Sequence, residues 1–357
     1  MNFLNLIAYP ISMLFGLVVF VRNKLFDLGL IKSEEFQVPV ISIGNLSMGG
    51  TGKTPHIEYL VRLLKSKNSL AILSRGYGRK STEFTLLSET SNSSEVGDEP
   101  RQFKRKFNDI AVAVESKRVK GIKKLLELFP KLNIILLDDA LQHRYVKPGL
   151  SILLTDYNKL YYKDHLFPTG TLREGKSGAQ RADIIIVTKT PVVFSALDKK
   201  RIQKEIKPQA YQRIYFSFIQ YGHFIPFQAS TPELDKETCF KENYSVLLIT
   251  GIANASPLEG YLKDKVSLSS VNFSDHHEYS IVELMNCVQQ FNKIDNTKKI
   301  ILTTEKDAMR MDKSGLIEII KDLPVYYLPI EIVFQDKDSE EFNQQIFDYV
   351  RANKSYH

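Results

Sequence analysis

Gly44-Asn45-Leu46-Ser47-Met48-Gly49-Gly50-Thr51-Gly52-Lys53-Thr54-Pro55 follows the apolar, β-branched run 38–43 and precedes apolar residues at helical spacing, Ile57, Leu60, Val61 and Leu64. A strand that turns into a helix through such a glycine-rich loop aims backbone N–H groups and the positive helix end at an anion, so the stretch reads as a phosphate-binding loop. Lys53 would reach the β- and γ-oxygens of a nucleotide and the Thr54 hydroxyl a Mg²⁺ ion. Ser47, Gly49, Gly50, Thr51 and Gly52 would form the cradle. The usual GxxxxGK spacing wants glycine five residues before Gly52, and this chain has Ser47 there. The loop is therefore a variant P-loop.

Outward from that loop, short apolar runs recur at 70–73, 110–114, 132–137, 150–154 and 184–187. Unbroken apolarity marks strands buried on both faces, and the pattern predicts an α/β fold with a mostly parallel P-loop-type sheet covered by helices on both faces. The run 132–137 closes on Asp138-Asp139, where carboxylates would orient Mg²⁺ or its water. Gln142, His143 and Arg144 follow at once. The run 70–73 delivers Ser74-Arg75-Gly76-Tyr77-Gly78-Arg79 to a strand end, the ligand side of such a sheet; an ordinary glycine-rich turn is the competing reading. Gly97-Asp98-Glu99-Pro100 starts a helix, its acids being either plain caps or functional carboxylates. The loop 167–174 brings Arg173 beside Glu174. The run 184–187 ends in Thr188-Lys189-Thr190-Pro191, near where guanine-selective P-loop proteins carry NKxD or TKxD. No such aspartate is present, which favours adenine.

Two aromatic, strand-like segments, 214–227 and 324–334, are expected to pair as a ribbon. Between them lies a smaller α/β unit with strands near 246–250, 266–273 and 299–303 and a helix whose Ser280 and Glu283 fit a capping box. Asp275-His276-His277 stands before that helix and Thr304-Glu305-Lys306-Asp307 after the last strand. The expected organisation is a membrane-associated helix at 1–30, a P-loop domain at 31–213, a two-stranded linker from 214–230 and 323–336, a smaller α/β domain at 231–322 and a closing helix at 337–357.

The 357 residues are 43% apolar and 25% charged, which argues against disorder and leaves room for more than one domain. A net charge of +7 favours an anionic partner without choosing among nucleic acid, nucleotide and acidic lipid. Cys239 and Cys287 show no CxxC spacing, so a disulfide scaffold or zinc site is not indicated and a reducing cytosol fits. Residues 2–21 carry no charged side chain, and Arg22 and Lys24 follow. That is the pattern of a helix lying in or dipping into the inner leaflet with its cations at the headgroups; a buried core helix is the alternative. The missing basic start and cleavage site speak against a signal peptide.

With these motifs in order, the sequence resembles the tetraacyldisaccharide 4′-kinase family of lipid A biosynthesis. The resemblance runs nearly the whole chain and rests on the apolar N-terminal helix, GNLSMGGTGKTP with its Ser47, SRGYGR, GDEP, LLDDALQHR, FPTGTLRE followed by RAD and VTK, TGIAN, DHH and TTEKDA. After the acidic pair the family reads Gly-Phe-Gln-His, whereas this chain reads Ala140-Leu141-Gln142-His143 and keeps the glutamine and histidine. The resemblance implies transfer of phosphate from ATP, with Mg²⁺, to the 4′-hydroxyl of a tetraacylated glucosamine disaccharide 1-phosphate, giving lipid IVA. It implies that Lys53, Thr54, Asp138 and Asp139 hold phosphate and metal, that Tyr77 touches the nucleotide, and that Asp98 is a catalytic carboxylate paired with His276. His143, Arg173 and Glu174 match active-site positions. A monomer at the cytoplasmic face of the bacterial inner membrane, acting on an acylated disaccharide lipid and no nucleic acid, is implied as well. A P-loop GTPase or ATPase of the metallochaperone type is the alternative; the absent base-reading aspartate and the apolar N-terminus stand against it.

Overall fold

The structure is a computed structural model that describes residues 3–79 and 82–353. Its strands run, in chain order, β1 Val40–Asn45, β2 Leu70–Ser74, β3 Thr85–Leu86, β4 Ala111–Val114, β5 Ile134–Asp138, β6 Leu150–Asp156, β7 Ile184–Thr188, β8 Arg213–Tyr221, β9 Ile225–Pro226, β10 Ser245–Thr250, β11 Ser267–Asn272, β12 Lys299–Thr304, β13 Val325–Leu328 and β14 Ile330–Phe334. The chain divides into two compact units, Met1–Ile219 with Ile332–His357, and Gln220–Glu331.

The first unit is built on a sheet of order β14-β8-β7-β6-β1-β5-β2-β4-β3. From β4 to β8 every neighbouring pair is parallel, and the short β3 is antiparallel to β4. Every residue of β1, β2, β5 and β7 is buried, as their apolar, β-branched composition requires of strands covered on both sides. Alternate side chains feed different cores. Ile41 and Ile43 pack with Ile57, Leu60 and Leu64 of helix Lys53–Leu64 and with Phe342 and Ile346 of helix Asp338–Ala352. Val40 and Leu137 instead join Ile122 and Leu125 of helix Arg118–Leu128. The consecutive strands β5 and β6 flank β1 on opposite sides, so the chain changes side there, and the carboxyl end of β1 faces the crevice where such sheets bind ligands.

Helix Phe3–Asp27 lies in this unit. Its protein-facing stripe runs through Ser12, Phe15, Gly16, Val19, Asn23 and Phe26, at the i, i+4, i+7 spacing of one helix face. Ser12 Oγ donates to the Leu166 carbonyl, and Gly16 lets Leu166 approach where a Cβ would stand 2.6 Å away. Its other face exposes Ile11, Leu14, Leu17, Val18 and Val21. The buried-core alternative for this segment is thereby excluded: Ala8–Asp27 is long and apolar enough to cross a membrane by length and composition, and 11% of it is buried.

The second unit carries a sheet of order β11-β10-β12-β13-β9, parallel except for the β13–β9 pair. The two aromatic segments pair, but not as one free ribbon. β8 lies beside β14 at the edge of the larger sheet, and β9 beside β13 at the edge of the smaller. An isolated two-stranded ribbon is marginal in water, and joining existing sheets gives each strand packed neighbours.

Candidate active site

The loop after β1 is gripped from outside by its carbonyl groups. Lys189 Nζ donates to the Gly50 carbonyl at 2.5 Å, Thr188 Oγ1 to that of Thr51 at 2.9 Å, and His56 Nδ1 to that of Gly52 at 2.7 Å. Because a carbonyl oxygen only accepts, Nδ1 of His56 carries the proton, and its Nε2 accepts from Ser217 Oγ at 3.1 Å. In a planar trans peptide the next N–H points the opposite way, so the N–H groups of Gly52 and Lys53 face away from these anchors. Gly49 and Gly52 hold φ of 106° and 88°, which only glycine adopts at low cost. A Cβ at Gly49 or Gly50 would meet no atom within 4 Å, so the cradle is open. Ser47 bridges Leu172 in an extended arrangement, with Met48 N donating to Thr171 O and Arg173 N to Leu46 O, each at 2.7 Å. Extended backbone needs no glycine, which accounts for the departure at Ser47.

Lys53, first residue of its helix, reaches Asn45 Oδ1 at 3.4 Å and Asp139 at 3.6 Å. Arg173 Nη1 contacts both Asp139 oxygens, at 2.9 and 3.0 Å. Burial alone would push the Asp139 carboxyl up, but Lys53 and Arg173 outweigh it and hold it below the usual value. Asp138 is buried and accepts from Ser74 Oγ at 2.8 Å. Burial, then the Asp139 charge, push its carboxyl up to about 6, against the pull of Lys53. Two adjacent carboxylates with the Thr54 hydroxyl are hard oxygen donors. A cation that keeps water and phosphate ligands, as Mg²⁺ does, fits them, and it would offset the cost of keeping buried Asp138 ionised. No group of three or more His, Cys, Asp or Glu that could hold a metal occurs among the described residues.

Sequence reasoning missed the supports of this pair. Arg118, 2% exposed, donates to the carbonyls of Glu115 at 2.7 Å and Asp138 at 2.8 Å. Burial lowers its guanidinium to about 10, with the two aspartates pulling the other way, so it stays charged at neutral pH. Glu99 adds its charge to the upward push on Asp138. An arginine at the first position of an unremarkable helix carries no motif, so nothing in the sequence points to it. His143 is lowered to about 4 by burial and then by Arg118 and Arg75, and is neutral at physiological pH. Glu174 is 1% exposed, and its Oε1 accepts from Gln142 at 2.9 Å and Arg181 at 2.6 Å.

The turn carrying Tyr77 packs on the start of helix Asp98–Lys106. A Cβ at Gly76 would stand 2.9 Å from Val96 O, and one at Gly97 3.0 Å from Tyr77 O; both glycines have positive φ. Gly97 occupies the N-cap position, with Asp98 and Glu99 in the first turn. Tyr77 is exposed.

In the second unit the two adjacent histidines differ. His277 stacks on Phe273 with ring centroids 4.5 Å apart and meets Glu283, the capping-box residue, at 3.2 Å. His276 has φ 57°, a half-exposed side chain, and Nδ1 3.1 Å from Arg310 Nη2. Arginine has only protons to give, so Nδ1 accepts and the neutral ring carries its proton on Nε2. Arg310 is buried with Asp307, 3.0 Å away, and also donates to the Gly251 carbonyl at 2.7 Å. Asp307 accepts from Gly251 N and Thr304 Oγ1. One buried ion pair thus ties together the turns that follow β10, β11 and β12.

Residues 4–351 match the family model described as tetraacyldisaccharide-1-P 4′-kinase. The chain belongs to the tetraacyldisaccharide 4′-kinase family. It is 45% identical to the tetraacyldisaccharide 4′-kinase of Bacteroides thetaiotaomicron over 97% of this chain and 93% of that one, and 44% identical to that of Flavobacterium johnsoniae over 99% of each. Among solved structures, LpxK from Aquifex aeolicus in complex with ATP superposes with a TM-score of 0.74 at 28% identity, over 97% of this chain and 99% of that one. Within this tetraacyldisaccharide 4′-kinase homologue, the first unit gathers Ser47, Gly49, Gly50, Thr51, Gly52, Lys53, Thr54, Asp138, Asp139, Arg173 and Glu174 around one loop, brings the Tyr77 carbonyl against Gly97, the residue before Asp98, and leaves His276 to the second unit.

Proposed function

We propose that this protein transfers the γ-phosphoryl group of Mg²⁺-ATP to the 4′-hydroxyl of a tetraacylated glucosamine disaccharide 1-phosphate, as a monomer at the cytoplasmic face of the bacterial inner membrane. The observation that carries this is the cluster of Lys53, Asp139 and Arg173 over an open glycine cradle, in a chain of this family.

In this reading the cradle N–H groups and Lys53 take the phosphate oxygens, and Arg173 exchanges one Asp139 contact for a phosphate oxygen, a match for its planar fork. Thr54, Asp138 and Asp139 are the residues that would hold Mg²⁺, which would supply charge neutralisation to the phosphates. Asp98 accepts the proton of the sugar hydroxyl as its oxygen bonds to phosphorus and the bond to the ADP oxygen breaks. His276 is assigned to the same step by the family resemblance, and with its Nδ1 accepting from Arg310 the proton it can offer a carboxylate is that on Nε2. His143, neutral, orients groups near the phosphates without adding charge. Tyr77 lies against the nucleotide, and Glu174 serves by tethering Gln142. Placement dominates such a reaction, since a well-held pair reaches effective molarities of about 10⁵ M or more.

The exposed apolar face of the N-terminal helix supports the membrane side of the reading. A substrate with several acyl chains leaves a bilayer at about 0.8 kcal/mol per CH₂, so the enzyme must come to the lipid. Removing residues 2–21 is expected to shift the protein to the soluble fraction and impair turnover of bilayer substrate; unchanged sedimentation with membranes would refute that role. The reaction itself is tested by thin-layer chromatography with γ-labelled ATP and the acylated disaccharide 1-phosphate. Label in the lipid is expected, whereas label appearing only as inorganic phosphate would favour a hydrolase.

A further inference from the structure

The N-terminal helix does more than face outward. Asn23 Nδ2 donates to Glu174 Oε2 at 2.8 Å, while the other Glu174 oxygen is taken by Gln142 and Arg181. The same Gln142 amide donates to the Asn45 carbonyl at 2.9 Å, at the last residue of β1. Asn45 in turn fixes the loop: its Nδ2 reaches Thr51 Oγ1 at 2.9 Å and its Oδ1 receives Lys53. The helix is pinned from both sides of Asn23, with Arg22 donating to the Gln142 carbonyl at 2.8 Å and Arg144 to the Asn23 carbonyl and to Asp27, each at 2.7 Å.

We propose that Asn23 is a positioning residue for the phosphate-binding loop, acting through Glu174 and Gln142 on the Asn45 carbonyl. Glu174 is buried, so its charge is held by these donors and not by water. Taking away Asn23 leaves Oε2 without that donor, and the carboxylate relaxes toward Arg181, drawing on the Gln142 amide that it shares with Asn45. A helix whose outer face is apolar and whose inner face touches the nucleotide loop through one buried carboxylate makes the seating of the helix part of the ATP site. The inference rests on the reading that this loop binds ATP.

The test uses full-length Asn23→Ala and Asn23→Asp with substrate dispersed in detergent micelles, so that membrane partition plays no part. For Asn23→Ala the KM for ATP is expected to rise by roughly 5- to 20-fold, within the range of coupling between residues of one hydrogen-bond network. Asn23→Asp, which sets a second carboxylate against Glu174, is expected to raise it further. Co-sedimentation with vesicles of phosphatidylethanolamine and phosphatidylglycerol should match the wild type for both. An unchanged KM for ATP in both variants overturns the proposal, as does a fall in kcat alone, which a loosened fold would give. A wild-type enzyme that fails to saturate with ATP would instead overturn the nucleotide reading, a distinguishable result.

Discussion

The loop after β1 and the loop after β11 both leave the carboxyl end of a parallel strand, both use left-handed backbone and both lead into a helix, yet they are built on opposite plans. In the first, Gly49 and Gly52 take the left-handed positions, and Lys189, Thr188 and His56 hold carbonyls so that backbone N–H groups are presented. In the second, a histidine takes that conformation at a cost on the order of 1–3 kcal/mol, and a buried Asp307–Arg310 pair holds its ring. One loop offers backbone to an anion. The other offers a single side chain of fixed tautomer. Binding and chemistry should therefore be separable by mutation.

The comparison is broken most severely at the acceptor side. Asp98→Ala is expected to lower turnover about 10²- to 10⁴-fold, the usual weight of a positioned base, while leaving ATP affinity unchanged. Turnover near the wild-type rate would remove Asp98 from the mechanism. Arg310→Ala leaves Asp307 charged and buried without its partner, so calorimetry should show the second unit destabilised by about 3–5 kcal/mol with ATP affinity retained. Melting indistinguishable from wild type would mean the pair does not hold that unit. Lys189→Ala removes one carbonyl anchor from the phosphate loop, and a charged hydrogen bond of this kind predicts a rise in KM for ATP of about tenfold.

The smallest effect sharpens the anchor side. Burial holds His56 at about 4 against an ordinary 6.5, in spite of the opposing bond to Gly52. The folded chain therefore binds fewer protons than the unfolded chain between those values. The stability this gives is complete above pH 6.5 and is lost as pH falls toward 4, by up to about 1.4 kcal/mol per pH unit. His56→Gln, which keeps a donor for Gly52, should flatten the decline in melting temperature between pH 6.5 and 5; an unaltered decline would mean that another group dominates it.

Much of this is legible in the sequence alone. Glycine spacing is itself the mechanism of the phosphate loop, and the acidic end of β5 follows from an apolar run closing on Asp138-Asp139, so both could be read from neighbours in sequence. The capping box at Ser280 and Glu283 was equally local. What escaped was held by distant partners. In sequence Lys189 reads only as part of a missing guanine reader, yet its amine grips Gly50, far away along the chain. Arg118 and Arg310 matter because burial and topology bring them to backbone carbonyls, and Asp307, visible in the sequence as part of TTEKDA, shows its hold on Gly251 only in the fold. Helix Ala196–Ile206 gives no sequence signal either, since only Ile202 and Ile206 of its residues are buried and so little apolar periodicity marks it.

The division of labour between the two loops is tested most directly by measuring ATP affinity and the single-turnover rate of phosphoryl transfer side by side in Lys53→Ala and His276→Ala. Lys53→Ala is predicted to lose ATP affinity together with transfer, whereas His276→Ala is predicted to bind ATP as the wild type does and to transfer phosphate at least about a hundredfold more slowly. A His276→Ala enzyme that transfers at the wild-type rate, or that loses ATP affinity as Lys53→Ala does, would contradict the account.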